Sequence, residues 1–227
     1  MKLKSLDELY EKALNDIKGE KGVITINISG IPKISKSNDI IGNCVQEWIP
    51  QWLEDNGLKI EANNKSQVFP DFIANINGIK YDMEVKCWNY DNAPAFDIAN
   101  FDGFYKEIYS NPNKLYAKYL IFAYSPIKHG FIIKNIYLKN IWEITSKTQK
   151  RPINLQVKQG RPYAIRPFPF HKNPEKSFSN IYEFVKAIYE TRKMFSLENM
   201  INPNNWFEKI KSVIEVKATS ENLICES

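Results

Sequence analysis

Asn77-Gly78, set between two alternating apolar runs, forces a tight hairpin on the middle of this chain. Asn-Gly favours the two-residue type I′ turn, in which both central residues take positive φ and the backbone twist matches that of the flanking strands. The turn fixes the pairing. Residue 76 faces 79, and counting outward brings Asp71 opposite Glu84. From Ile79 to Trp88 the alternation is nearly strict, with Ile79, Tyr81, Met83, Val85 and Cys87 on one face and Lys80, Asp82, Glu84, Lys86 and Trp88 on the other. That period of two belongs to a strand. Phe72–Ile76 is a shorter run of the same kind, and Pro70 suits a strand start, where no ladder donor is needed.

Two carboxylates directly opposite each other are a problem the chain must solve. Facing Cβ atoms lie roughly 4.5–5.5 Å apart, and like charges there are destabilising. One acid is protonated, a basic group separates them, or a cation binds between them. Lys86 shares the face of Glu84, two residues on. Two acids and a lysine suit a hard divalent cation such as magnesium, which takes oxygen ligands and substrate phosphate oxygens and promotes attack of water on phosphorus. The same residues also fit a solvated sheet face with Asp71–Lys86 and Glu84–Lys80 ion pairs, each contributing only about 0–1 kcal/mol.

Pro70-Asp71 followed by Glu84-Val85-Lys86 resembles the signature of the PD-(D/E)xK nuclease superfamily. The resemblance implies Asp71, Glu84 and the Val85 carbonyl as magnesium ligands and Lys86 as the catalytic lysine. It also implies a restriction-endonuclease-like α/β fold, with a mixed central sheet flanked by helices. The layout is most similar to type II restriction endonucleases of this length. Those enzymes often carry a further acid on a helix before the Pro-Asp strand, and Glu47 is the matching residue.

Length and composition agree with an enzyme. The 227 residues suit a single endonuclease domain, with a catalytic core near 20–145, a recognition segment near 146–175 and C-terminal helices near 178–218. The chain is 43% hydrophobic, enough for a substantial core, yet no apolar run approaches the roughly 18 residues of a membrane span. No apolar segment follows the basic Met1-Lys2-Leu3-Lys4 start, which argues against a signal peptide. Cys44, Cys87 and Cys225 are too scattered for zinc or a disulfide framework, so a reducing cytoplasm is expected. No phosphate-binding glycine loop is present, and ATP use is not expected.

The layout reads as a helix over 3–18, a strand over Val23–Ile28 with Gly30 and Pro32 in the following turn, and a second helix striped by Ile40, Ile41, Cys44, Val45, Trp48, Ile49 and Trp52. Pro50 is expected to kink or break that helix. After the hairpin come a loop, helices over 101–109 and 114–118, strands over 119–124 and 131–138, and helices over 179–195 and 204–217.

The net charge of +5 is modest, but its distribution is uneven. Between Glu143 and Glu175 there is no acid, while Lys147, Lys150, Arg151, Lys158, Arg161, Arg166, Lys172 and His171 all fall there. Such a stretch reads as a polyanion-facing surface. Around Gln159-Gly160 two short strands would form a ribbon able to enter a major groove, where Arg and Lys reach guanine and Gln reaches adenine. Gln156, Lys158, Arg161 and Arg166, with Lys150 and Arg151, are the expected DNA contacts. This segment is similar to one in restriction enzymes of the NgoBV and NlaIV type, which cut at GGNNCC.

The resulting expectation is a site-specific, magnesium-dependent endonuclease of a restriction–modification system that acts on double-stranded DNA as a homodimer. Two readings stay open beside it: a structure-specific or repair nuclease with the same core, and a DNA-binding protein without catalysis.

Overall fold

The chain, described at residues 3–35, 37–63, 69–195 and 201–225 in a computed structural model, alternates helices and strands throughout. In order these are α1 (Leu6–Ile17), β1 (Lys21–Gly22), β2 (Thr25–Ile28), β3 (Ile31–Ile34), α2 (Asn38–Asp55), β4 (Lys59–Ala62), β5 (Phe72–Ile76), β6 (Ile79–Asn89), β7 (Ala99–Asn100), α3 (Phe101–Ser110), β8 (Lys118–Ile127), β9 (Gly130–Asn140), α4 (Ile141–Ile144), β10 (Leu155–Lys158), β11 (Arg161–Ile165), α5 (Ile181–Met194) and α6 (Pro203–Cys225). They form two compact units, one of residues 1–96 with 117–140 and one of 97–116 with 141–227.

The first unit is built on a six-stranded mixed sheet of order β1-β9-β8-β6-β5-β4. Asn77 and Gly78 both take positive φ, 52° and 87°, as a type I′ turn requires. Ile76 pairs with Ile79 and Phe72 with Met83, which is the pairing expected from the turn. β6 then lies parallel to β8, with Glu84 beside Tyr119 and Lys86 beside Ile121. Buried from both sides, β6 loses the simple inside–outside alternation over Met83–Val85. One sheet face carries Phe72, Met83, Val85, Leu120 and Phe122 into a core completed by α1 and α2.

Side-chain caps start α1, α3 and α5. Ser5 accepts a hydrogen bond from the Glu8 amide at 3.1 Å and caps α1. On α2 the buried row is Ile41, Val45, Ile49 and Leu53, one residue per turn, narrower than the expected stripe. The helix does not break at Pro50 but runs on to Asp55. Proline lacks the N–H that would bond the carbonyl four residues back, that of Gln46.

The second unit holds a three-stranded sheet of order β10-β11-β7 with α3, α5 and α6. Trp206 stacks on Tyr105 at 4.5 Å between ring centroids and donates its indole N–H to the Tyr105 carbonyl at 2.8 Å, fixing α6 to α3.

Several expected elements differ in detail. Pro32 lies within β3, which has no neighbour but β2 among the described strands, so the missing N–H is harmless. Residues 112–116 form a 3₁₀ turn rather than an α-helix. Residues 59–62, β4, form an edge strand that the polar Lys-Ile-Glu-Ala sequence did not announce.

Candidate active site and nucleic-acid interface

Asp71 lies one step before β5, next to the Phe72–Met83 pair, and Glu84 follows Met83 on β6. The two oxygens of Asp71 have different partners. Oδ2 accepts the Val85 backbone N–H at 2.7 Å, and Oδ1 accepts the side-chain amide of Gln46 from α2. Burial is the main influence on this carboxyl and raises its pKa. The Val85 N–H, the Lys86 ammonium and the Gln46 amide pull in the opposite direction.

Glu84 is only 8% exposed. Lys86 Nζ lies 3.3 Å from Glu84 Oε2. Lys80 pairs with Glu61 at 2.5 Å rather than with Glu84, unlike in the solvated-face arrangement. Tyr119, beside Glu84 on β8, is fully buried, and its hydroxyl is held protonated by burial and by the charges of Glu84 and Asp71.

Two carboxylates and one ammonium in a half-buried site leave an excess of one negative charge when all are ionised. Desolvated charge of that kind requires a counter-charge. In a strand, a residue's N–H and C=O point to the same edge. The Val85 carbonyl thus lies on the edge where its N–H meets Asp71. Two carboxylates and a carbonyl are all hard oxygen donors, a set that fits magnesium or calcium and not zinc. Among the described residues no group of three His, Cys, Asp or Glu side chains gathers to hold a metal, here or elsewhere, so a third protein ligand here would be a carbonyl.

Glu47 and Gln46 exchange the expected prominence. Residues on a helix advance by about 100° each. Taking Val45 as the centre of the buried row, Gln46 lies on its flank and Glu47 on the opposite side. Glu47 is exposed accordingly, and the side chain that reaches the site is that of Gln46. The wide apolar stripe in the sequence hid this, because Cys44 and Trp48 belong to its margin rather than its centre. Cys87, also on β6, turns toward α2, its Sγ 3.9 Å from the Gly42 carbonyl, and burial pushes its thiol up to about 12.

In the second unit the acid-poor segment forms the hairpin β10–β11. Gln159 and Gly160 take φ of 51° and 75°, another type I′ turn, and Lys158 pairs with Arg161 across it. A register shift between Gln156 and Val157 bends the ribbon. Lys158 and Arg161 are exposed at the tip, where Lys158 Nζ sits 3.4 Å from the ring centroid of Tyr163. Lys158, Gln159, Arg161 and Tyr163 line an open groove of about 680 Å³ with Asn100 and Asp102. The other expected contacts lie nearer the base. Arg166 pairs with Asp97 at 2.5 Å, Arg151 donates to the Leu155 carbonyl at 3.4 Å, Gln156 is half-buried, and Lys150 is exposed on the loop before. Tyr163 and Asn100 were not singled out by sequence. Asn100 lies outside the acid-poor segment and is brought in by the pairing of β7 with β11.

Known proteins resemble this chain over nearly its whole length. The model of the NgoBV restriction endonuclease family matches residues 4–225. The type II restriction enzyme NlaIV of Neisseria lactamica is 34% identical over 191 residues, covering 81% of this chain and 79% of that protein. The type II restriction enzyme NgoBV of Neisseria gonorrhoeae is 29% identical over 156 residues, covering 67% and 89%. The solved structure of the NlaIV restriction endonuclease matches with a TM-score of 0.82 at 31% identity, over 96% of this chain and 91% of that one.

Proposed function

The chain belongs to the NgoBV restriction endonuclease family, and we propose that it hydrolyses both strands of double-stranded DNA at a short symmetric site, with magnesium, as the nuclease of a restriction–modification system. The observation that supports the chemistry is that Asp71 accepts the Val85 N–H at 2.7 Å next to a buried Glu84, with Lys86 3.3 Å from the latter.

Asp71, Glu84 and the Val85 carbonyl would hold the metal, which when bound supplies a Lewis acid for the phosphate oxygens and acidifies water. The protein groups position and screen. The Val85 N–H and the Gln46 amide fix the Asp71 carboxylate in one orientation. Lys86 presents an ammonium beside Glu84, where it orients the attacking water by hydrogen bonding and offsets the negative charge growing on phosphorus. Tyr119 stays neutral and walls off one side. Attack in line with the 3′-oxygen leaves a 5′-phosphate and a 3′-hydroxyl. Lys158 and Arg161 approach base edges or phosphates from the ribbon tip, with Gln156, Arg166, Lys150 and Arg151 supporting contacts nearer its base. The substrate places the enzyme in the cytoplasm, and no helix among the described residues is long and apolar enough to cross a membrane.

Digestion of a random-sequence plasmid library with magnesium, followed by sequencing of the ends, tests this reading. A single recurrent palindrome is expected, and GGNNCC is the first site to inspect. Cutting without a shared sequence would point to a structure-directed nuclease instead.

A further inference from the structure

Asp102 is the one acid among the described residues lining the groove of about 680 Å³ at the ribbon tip, where Asn100, Lys158, Gln159, Arg161 and Tyr163 are its neighbours. A carboxylate repels phosphate, so it cannot make the backbone contacts that cations and amides make. It is also held in place. Asp102 belongs to the first turn of α3, and its Oδ1 accepts Arg192 Nη1 at 2.9 Å. The Arg192 side chain is 2% exposed, whereas that of Asp102 keeps 39% of its surface open. The guanidinium thereby fixes the carboxylate and offsets its charge, and it leaves Oδ2 to accept from a ligand in the groove.

Asn100 sets the spacing between this acid and the ribbon. Its Oδ1 accepts the Gly103 N–H at 2.9 Å and caps α3, while its Nδ2 donates to the Tyr163 carbonyl of β11 at 3.0 Å. One side chain thus ties the helix that bears Asp102 to the strand that bears Arg161. The groove offers a fixed acceptor beside two exposed cationic donors, Lys158 and Arg161. In the major groove of DNA a G·C pair presents the matching pattern, with acceptors O6 and N7 on guanine and a donor, N4, on cytosine. Adenine also carries an amino group, but the N7 acceptor beside it suits Asn or Gln, which donate and accept together. An ionised carboxylate only accepts, and cytosine N4 is the base group that asks for nothing else.

We propose that Asp102 reads the N4 amino group of a cytosine in the target site, and that Arg192 is the positioning residue that holds it there. The proposal rests on the reading of this chain as a site-specific DNA enzyme. Random-sequence duplex retained by the full chain in calcium, then sequenced, gives the preferred site without cleavage. Wild type should select a site that contains a G·C pair. Replacing its cytosines one at a time by 2-pyrimidinone nucleoside, which lacks only the amino group, should weaken binding roughly 5- to 150-fold at one of them and at its mate in a symmetric site. Asp102→Asn can keep its oxygen on Arg192 and turn its NH₂ to the groove, so at that pair it should prefer thymine, whose O4 stands where cytosine has N4. Arg192→Met, which releases the carboxylate, should blunt discrimination at that pair alone. Where circular dichroism shows Asp102→Asn unfolded, the double change with Arg192→Met removes the unpaired buried cation and should accept cytosine and thymine alike there. No selected site, a site without a G·C pair, no loss at any substituted cytosine, or an unaltered preference in a folded Asp102 variant overturns the assignment. So does an equal loss of affinity for all sequences, which is what a purely structural ion pair would give. A chain that selects its site as described but cuts nothing in magnesium overturns only the nuclease reading.

Discussion

Gln46 of α2 donates its amide to Asp71 Oδ1, on the carboxylate whose other oxygen is taken by the Val85 N–H. The helix thereby sets the rotamer of an acid on the sheet. Hydrogen bonds to charged groups contribute about 1.5–3 kcal/mol. Gln46→Leu should therefore lower kcat/KM by roughly 10- to 100-fold, since about 1.4 kcal/mol is tenfold. Magnesium titration of cleavage should show a higher requirement, and the melting temperature should fall by several degrees, since each kcal/mol shifts it by about 2–4 °C.

Lys86→Ala is expected to lower cleavage by about 10²–10³-fold, the usual cost of losing one group that stabilises developing charge. Gel-shift affinity for cognate DNA in calcium should stay near wild type. Equal losses of binding and cleavage would mean that Lys86 serves the DNA backbone rather than the reaction.

The raised pKa of Asp71 makes its charge a cost to the metal-free fold. Between the ordinary carboxylate value of 3.8 and the raised one, the native state holds more protons than the unfolded state. The stability contributed by the protonated acid is complete below that window and is lost as pH rises through it. Without metal at pH 7, Asp71→Asn should melt higher than wild type, with Gln46 turning its amide to offer oxygen to the new side chain. The gap should close on acidification below 3.8 and reverse when divalent metal is added.

Arg192 is 2% exposed, pairs with Asp102 at 2.9 Å, and lies over the Tyr105 ring at 5.3 Å. Asp102→Ala would leave a buried guanidinium uncompensated, at a cost of about 3–5 kcal/mol. Urea unfolding should show that loss for Asp102→Ala and a much smaller one for the double change Asp102→Ala with Arg192→Met.

The tip residues of β10–β11 are separable by salt. A lysine on a phosphate contributes about one unit to the slope of log affinity against log salt, uniformly across sequences. An arginine on a guanine instead costs about 1–3 kcal/mol at one base pair when removed. Binding assays on Lys158→Ala and Arg161→Ala, with cognate and singly altered sites at several salt concentrations, assign each.

What the sequence made legible was local. Asn77-Gly78 dictated the turn, the turn dictated the pairing as far as Phe72 and Met83, and Asp71, the next residue, meets the Val85 N–H beside Glu84. Gln159-Gly160 did the same for the ribbon tip. What stayed hidden depended on distant packing. The parallel partnership of β6 with β8, which buries Glu84, joins segments separated by a whole helix. Choosing Gln46 over Glu47 required the phase of α2 against the sheet, and a stripe with Cys44 and Trp48 at its margin blurred that phase. Arg166 looked like Arg161 in sequence, yet it pairs with Asp97 near the ribbon's base while Arg161 is exposed at the tip.

The hairpin from Pro70 to Lys86 also has a consequence for biogenesis. During synthesis the ribosome releases Asp71, Glu84 and Lys86 before it has made Lys158 or Arg161. Strand β8, the neighbour that desolvates Glu84, emerges in between. A polypeptide truncated after β9 would carry the hairpin of Asp71, Glu84 and Lys86 without the β10–β11 ribbon, so on the proposed function any cutting it did would be undirected.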